Sequence, residues 1–339
     1  IFALTAVEIV LLLFGGMTPF DSIIHAFSTA GTGGFSNYAN SIGQLDSAYI
    51  DGVITVFMIL FGINFNLFYL LLLRQFKPVW KNEELRTYLA IIVTAIALIT
   101  WNITSIYGNP LKAFRYAAFQ VASIITTTGF ATADYMKWPT MSQTIIVILM
   151  IIGACASSTG GGIKVSRFLI VVKSIKKELK QMVHPKSVNL IRINGKKMNP
   201  DIVQNVFVYL VAYAGIAGLS VLLVSIDDFD FATNFGSVMG TLNNIGPGLG
   251  VSGPAGNFAQ FSPFSKLVFC MDMLIGRLEI FPFLMLFTSI SWRRILEWEG
   301  VMKKRSKFAI VVILLAIAAI YYYVSIPAVN IHSAQTWFL

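Results

Sequence analysis

Long apolar runs recur along the chain and are separated by shorter polar segments. Several reach the roughly 20 residues that an α-helix needs to cross the hydrocarbon core of a bilayer. The long runs cover residues 53–73, 88–106, 206–225, 267–290 and 308–324, with a shorter run at 141–152. A transmembrane β-barrel would show short segments of alternating hydrophobicity instead. The pattern therefore predicts an all-α polytopic membrane protein.

A repeated unit is visible within this pattern. Each copy runs from an apolar helix through a short, less apolar segment to a turn rich in Gly, Thr and Asn, and then through a polar stretch to a second apolar helix. The three turns lie at residues 29–35, 125–130 and 241–250, and their glycines Gly34, Gly129 and Gly246 align. Segments this short must enter the membrane and return. Non-helical backbone at that depth persists only when it is buried in protein or lines an aqueous cavity. The turns therefore predict helix–pore loop–helix units around a central pore, rather than ordinary outer loops.

The chemistry of the turns favours a monovalent cation. None of the three turns contains an acidic residue, whereas divalent cations are usually held by carboxylates. Backbone carbonyls can replace the water shell of an alkali ion, and glycine allows the positive φ angles that turn carbonyls towards one axis. The short helix before each turn also aims the negative end of its dipole at that axis.

Composition and charge support this topology. Hydrophobic residues make up 56% of the chain and charged residues 12%, which is about half the charged share of a soluble domain. Ten basic residues between Lys164 and Lys197 contribute much of the net charge of +9. Excess Lys and Arg in loops marks the cytoplasmic side. We therefore attribute the charge to topology in a lipid bilayer, and we expect no nucleic-acid partner.

Five motifs in order resemble the Trk/Ktr/HKT potassium transporter superfamily. The three turns are similar to its second, third and fourth pore loops, and the Gly-Pro-Gly of the last turn looks like the Trk branch. The stretch Gly-Ala-Cys-Ala-Ser-Ser-Thr-Gly-Gly-Gly-Ile-Lys at 153–164 looks like the intramembrane gating loop of that family. The stretch Gly-Arg-Leu-Glu-Ile at 276–280 looks like the part of the last pore helix that carries an arginine below the filter.

The resemblance implies a selectivity filter for K⁺, the transported ion, and a gate beneath it. The implied filter residues are Gly31, Thr32, Gly33, Gly34, Thr126, Thr127, Thr128, Gly129, Asn243, Asn244, Ile245 and Gly246. The implied gating residues are Ser157, Ser158, Thr159, Gly160, Gly161, Gly162, Lys164 and Arg277. It also implies potassium uptake across the cytoplasmic membrane, a homodimer, and a separate cytoplasmic ring of Rossmann-like nucleotide-binding subunits that meets the basic loop. No cofactor is expected in the chain itself.

The same reading divides the chain into four parts. Residues 1–85 form one pore repeat with a truncated first helix, residues 86–200 a second repeat with the gating loop and the basic loop, and residues 201–298 a third. A fourth repeat is expected upstream of Ile1, because three turns close a ring poorly. Residues 299–339 carry an extra apolar helix, for which a fusion, a gene-prediction error and a genuine extra helix all remain open.

Several alternatives remain at this point. Arg277 could be a barrier in the pore or a structural salt-bridge partner of Asp272 or Glu279. The glycine-rich stretch at 157–162 lacks the spacing of a nucleotide-binding P-loop, and Cys155 and Cys270 are read as core residues. A sodium-permeable relative is the alternative within transport. A non-transporting membrane scaffold would leave the repeated turns unexplained, and a membrane enzyme lacks a convergent catalytic or metal-binding set.

Overall fold

The computed structural model describes residues 1–185 and 190–286, and the regular secondary structure of these residues is almost entirely helical. One short antiparallel hairpin pairs β1 (Arg192–Ile193) with β2 (Lys196–Lys197). The α-helices of the described residues are α1 Phe2–Phe14, α2 Pro19–Ala30, α3 Ala48–Phe61, α4 Phe65–Leu72, α5 Phe76–Trp80, α6 Glu83–Tyr107, α7 Pro110–Ile125, α8 Thr140–Ile152, α9 Val165–Val183, α10 Pro200–Val224, α11 Phe231–Leu242, α12 Pro263–Leu278 and α13 Ile280–Met285. The predicted tail at 299–339 lies outside the described residues.

Three short helices, α2, α7 and α11, begin at polar caps and end at the three turns. The side chains of Thr18, Asn109 and Asp230 accept backbone N–H groups of the first turn of α2, α7 and α11, respectively. Such caps satisfy donors that have no partner within the helix. Pro19 and Pro110 occupy the first helical position, where proline is tolerated because that N–H is unpaired anyway.

Longer apolar helices surround these short ones. Helix α6 and the segment Pro200–Asp227 are each long and apolar enough to cross a membrane. Large side chains such as Trp101 and Val211 are exposed on their outer faces, as expected for surfaces that meet lipid. The inward faces pack against α7 and α11, and every residue of α7 from Ala117 to Ile125 is buried. The buried parts of α7 and α11 therefore lie in the interior of the described structure.

The apolar run at 53–73, predicted as one helix, is broken in the structure. Helices α3 and α4 meet at 93° across a three-residue break. At the break the carbonyl of Gly62 accepts the Cys155 amide at 3.1 Å, and the Phe65 amide donates to the Ser157 carbonyl at 3.1 Å. A β-carbon at Gly62 would fall on the Tyr88 hydroxyl. The freed backbone groups are thus satisfied by residues 153–164, which is the condition for breaking a helix inside a membrane.

The run at 267–290 is also interrupted. Helix α12 ends at Leu278, and Glu279 adopts φ 64° and ψ 147° before α13 begins. A side chain in this region of φ is strained. The second break thus lies two residues beyond Arg277, and only the part up to residue 286 belongs to the described residues.

Candidate ion pathway

The three turns share one backbone conformation despite their different sequences. The second residue after each helix end has a positive φ, namely 50° at Thr32, 56° at Thr127 and 56° at Asn244. The next residue then donates its amide back to the helix. These bonds run from Gly33 to Ser28 at 2.8 Å, from Thr128 to Ser123 at 2.9 Å, and from Ile245 to Gly240 at 2.8 Å. Each helix therefore ends in the same hydrogen-bonded reversal.

The aligned glycines bring neighbouring turns into contact. Gly34, Gly129 and Gly246 have φ of 67°, 88° and 97°. A β-carbon at Gly34 would fall on the carbonyl oxygen of Thr128, and one at Gly129 on the carbonyl oxygen of Ile245. At Gly246 no atom lies within 4 Å of the same position. The turns therefore follow one another in chain order, and the first two glycines each face a carbonyl of the next turn.

A cavity of about 450 Å³ lies between the first and the third turn. Its lining includes Gly31, Thr32 and Gly33 from one side, Asn244 and Gly246 from the other, and Arg277 from α12. Phe35, Ile245 and Met273 also line the cavity, so its surface is mainly apolar, and the turn backbone and the polar side chains of Thr32 and Asn244 are what can offer oxygen atoms to a cation. Within residues 1–185 and 190–286 no three His, Cys, Asp or Glu side chains gather as a metal site.

Side-chain polar groups near the turns are used to hold the backbone. The hydroxyls of Thr126 and Thr128 bond to each other at 2.8 Å, and that of Thr126 also reaches the Ala122 carbonyl at 2.6 Å. The side-chain oxygen of Asn243 accepts the hydroxyl of Tyr213 at 3.1 Å. Because these side chains are buried and mutually bonded, the backbone carbonyls are the groups left to face an ion. The role of Tyr213 was not predicted, since a tyrosine in an apolar helix gives no signal of its partner.

The first turn is held from the outer side by His25. Its Nδ1–H donates to the Asp21 carbonyl at 2.7 Å, its Nε2 forms a hydrogen bond with the Ser36 hydroxyl at 2.9 Å, and the ring stacks on Tyr38. The hydroxyl of Tyr38 donates to the Asp21 carboxylate at 2.8 Å. Burial and this carboxylate raise the pKa of Tyr38 above its ordinary value. His25 therefore has a structural role, as expected of an isolated histidine.

Residues 153–164, which join α8 to α9, lie against the inner side of the turns. The amide of Gly161 donates to the hydroxyl of Thr127 at 2.7 Å, and the hydroxyl of Thr32 donates to the Thr159 carbonyl at 3.0 Å. A β-carbon at Gly160 would lie 3.0 Å from the Thr126 carbonyl oxygen. We call this segment the inner loop. Its contacts reach the first two turns directly.

Glycine is required where the inner loop meets the third turn. A β-carbon at Gly161 would fall on the carbonyl oxygen of Asn243. Gly153 and Gly162 pack against each other with φ of 71° and 76°. Larger residues at these positions would push the loop away from the turns.

The two serines of the inner loop face away from the turns. The hydroxyl of Ser158 donates to the Cys155 carbonyl at 2.6 Å, and Ser157 bonds to α4 through its carbonyl. The carboxylate of Glu84 accepts the Ala156 amide at 2.7 Å. Ser157, Ser158 and Glu84 thus anchor the start of the loop, and the anchoring role of Glu84 was missed in the sequence.

Arg277 contacts the inner loop. Its guanidinium donates to the Thr159 carbonyl at 3.1 Å. The alternative of a salt bridge with Asp272 or Glu279 is wrong. Asp272 accepts the hydroxyl of Ser220 at 2.6 Å, and Glu279 pairs with other cations.

Those cations are Lys164 and Arg167, at the end of the inner loop and in the first turn of α9. Lys164 lies 3.0 Å and Arg167 2.9 Å from the two carboxylate oxygens of Glu279. The guanidinium of Arg167 also lies 4.0 Å from the centre of the Tyr209 ring. Sequence reasoning had included Lys164 but gave Glu279 only as a possible partner of Arg277.

These features define a helical, multi-pass membrane protein whose three turns lie against one another, with a cavity between the first and the third. A family model described as "Cation transport protein", TrkH, matches residues 5–293. The chain belongs to the TrkH family of cation transport proteins, which are transporters and not enzymes. The predicted resemblance to Trk-type membrane subunits is thereby confirmed.

Individual relatives agree with the family. The chain is 39% identical over 286 residues to the "Trk system potassium uptake protein TrkH" of Salmonella typhimurium, covering 83% of this chain and 59% of that protein. It is 33% identical to TrkG of Escherichia coli, covering 82% and 57%. The crystal structure of the potassium transporter TrkH from Vibrio parahaemolyticus matches with a TM-score of 0.81 at 36% identity, covering 86% of this chain and 63% of that one. The chain thus spans about three fifths of the length of these relatives, and the predicted all-α membrane fold is confirmed.

Proposed function

We propose that the protein carrying this chain takes up potassium across the cytoplasmic membrane, along a path lined by backbone carbonyls of the three turns. The observation that carries this proposal is the approach of each aligned glycine to a carbonyl of the next turn, at Gly34 and at Gly129. Rings of carbonyls can replace the hydration shell of K⁺. The relatives named above are described as potassium uptake proteins.

A fourth turn would complete the ring in this proposal. The three turns belong to three pore repeats, at 1–85, 86–200 and 201–298. The open side of Gly246, together with the cavity between the first and third turns, offers the place where a fourth turn would pack. The twelve filter residues predicted from the sequence then act through their carbonyls, since the side chains of Thr126, Thr128 and Asn243 are bonded elsewhere.

The inner loop acts as the gate in this proposal. Its contacts with Thr32, Thr127 and Asn243 support this role, because they bring the loop backbone against the turns. Ions leaving the turns would meet the loop and the charge of Arg277. The gate opens when the loop withdraws.

We also propose the partners that the resemblance implies. The protein works as a homodimer, and a nucleotide-binding regulatory subunit docks on its cytoplasmic side. The basic residues of α9 support this docking side, because Lys176, Lys177 and Lys180 lie in the segment that positive charge assigns to the cytoplasm.

The filter is tested by Gly129→Ser in the full-length protein that carries this chain. At φ 88° a β-carbon is strained and would meet the Ile245 carbonyl. Backbone strain at such a position costs about 1–3 kcal/mol. A free-energy change of that size alters an equilibrium constant by roughly tenfold or more. We therefore expect the ratio of K⁺ to Na⁺ flux, measured in reconstituted liposomes, to fall about tenfold.

Gly108→Ser is the matched control. Gly108 has φ 64° but no atom within 4 Å of its β-position, so it carries similar backbone strain away from the turns. It should leave the flux ratio unchanged. An equal ratio in the wild type and the Gly129 variant would refute the filter assignment, and a wild type that passes Na⁺ as readily as K⁺ would favour the sodium-permeable alternative.

A further inference from the structure

An ion pair joins two strained helix breaks that lie beneath the turns. Lys164, the last residue of the inner loop, has φ 80°, and Glu279, between α12 and α13, has φ 64°. Neither residue is a glycine, so each holds an unfavourable backbone conformation that its surroundings must maintain. The ammonium of Lys164 and the carboxylate of Glu279 are 3.0 Å apart. The two strained positions therefore hold each other.

A second cation completes the cluster. The guanidinium of Arg167 lies 2.9 Å from the other oxygen of Glu279 and stacks over Tyr209. Tyr209 in turn makes an edge contact with Phe281 of α13, their ring centres 6.0 Å apart. The side chains of Lys164 and Arg167 are about one fifth exposed and that of Glu279 about two fifths. We call Lys164, Arg167 and Glu279 the ion triad.

The ion triad acts on the same loop as Arg277. Arg277 holds the Thr159 carbonyl, and Glu279, two residues later, holds the end of the loop through Lys164. Both contacts come from the last turn of α12 and the break that follows it. A movement of this break would release the loop at two points together, while the start of the loop stays bonded to Glu84.

We propose that Glu279 is a positioning residue of the gate: its ion pairs with Lys164 and Arg167 latch the inner loop beneath the turns and must separate before ions can pass. This inference rests on the proposed function. It assigns the opening motion to the break between α12 and α13, and it makes the loop's end, rather than its anchored start, the part that moves.

The latch is tested in the full-length protein by Glu279→Gln, which keeps the shape of the side chain and removes its charge. We expect K⁺ flux per molecule in the membrane to rise about tenfold, within the usual range of coupling between linked sites. The K⁺ to Na⁺ ratio should stay that of the wild type, because the turns are untouched. Glu83→Gln is the matched control: it removes the ion pair that Glu83 makes with Lys173 on the same helix α9, and should leave the flux as it was.

A charge exchange separates the latch from a role in folding alone. Lys164→Met should raise the flux as Glu279→Gln does, and combining the two should add little, because both remove one interaction. The exchange of Lys164→Glu with Glu279→Lys should bring the flux back towards the wild-type value. Reduced membrane abundance with unchanged flux per molecule, and no recovery in the exchanged pair, would overturn the latch.

A second readout does not depend on ion flux. In a background with Cys155→Ala and Cys270→Ala, the variant Thr159→Cys is labelled with a charged methanethiosulfonate reagent. Labelling should be about tenfold faster when Glu279→Gln is added. An unchanged labelling rate would overturn the latch whatever the flux shows. Faster labelling in a protein that carries no K⁺ would refute the proposed function and leave the latch standing.

Discussion

Replacing Arg277 by alanine should increase K⁺ flux. The guanidinium lines the cavity between the first and third turns and donates to the Thr159 carbonyl at 3.1 Å. For a K⁺ ion about 8 Å away, repulsion at an effective dielectric constant of about 20 amounts to roughly 2 kcal/mol. That energy lowers ion occupancy about thirtyfold. Losing the bond to Thr159 removes about 1 kcal/mol more that holds the inner loop in place.

The assay is K⁺ uptake per molecule, normalised to the amount of protein in the membrane. Arg277→Lys keeps the charge and should stay close to the wild type. Arg86→Ala removes an exposed arginine at the start of α6 and should change nothing. Because flux need not follow occupancy in full, a rise of about tenfold is expected for Arg277→Ala. Unchanged uptake per molecule in this variant would refute the barrier role.

Two further predictions concern the groups that hold the turns and the inner loop. Tyr213→Phe leaves the buried side chain of Asn243 without its hydroxyl partner. Thermal unfolding in detergent should therefore show a free energy of unfolding about 1–3 kcal/mol lower, and the ratio of K⁺ to Na⁺ flux should fall. An unaltered flux ratio would mean that Tyr213 contributes to stability alone. Deleting residues 158–161 removes the loop's contacts with Thr32 and Thr127, so K⁺ flux should rise, and a deletion variant that inserts normally but conducts as the wild type does would argue against gating by the loop.

The sequence predicted the parts of the fold that depend on local signals. Gly34, Gly129 and Gly246 have the positive φ that such turns need, and the inner loop was expected at 153–164 because that stretch resembles the gating loop of the family. The break at residues 62–64 was missed although Gly62 and the capping Asn64 are both present, because an uninterrupted apolar composition outweighed them. Whether such a break forms depends on the inner loop supplying partners to the freed backbone groups, and no local pattern records that contact.

Pairings between distant residues were the least predictable feature. Arg277 lies close in sequence to Asp272 and Glu279, which suggested a salt bridge, but spacings of five and two residues do not bring side chains together on a regular helix. In the structure Glu279 instead forms ion pairs with Lys164 and Arg167, which lie more than one hundred residues earlier in the chain. Glu279 lies at a break with a positive φ and not within a regular helix, and this conformation could not be predicted from composition or spacing.

In the proposed mechanism, the inner loop must be held firmly enough to block the ion path and loosely enough to leave it. Its contacts with Thr32, Thr127 and Arg277 are single hydrogen bonds, each contributing about 1 kcal/mol net, and the ion triad adds a comparable amount. The sum is a few kcal/mol, which lies within the differential affinity that a bound partner can supply to shift a two-state equilibrium. Helix α7 is held more strongly than the loop, because it is buried along its inner half. Moving it would expose apolar surface and lose far more stabilising free energy. In this proposal, motion is therefore confined to the loop and the break at Glu279, while the turns keep the geometry proposed for ion selection.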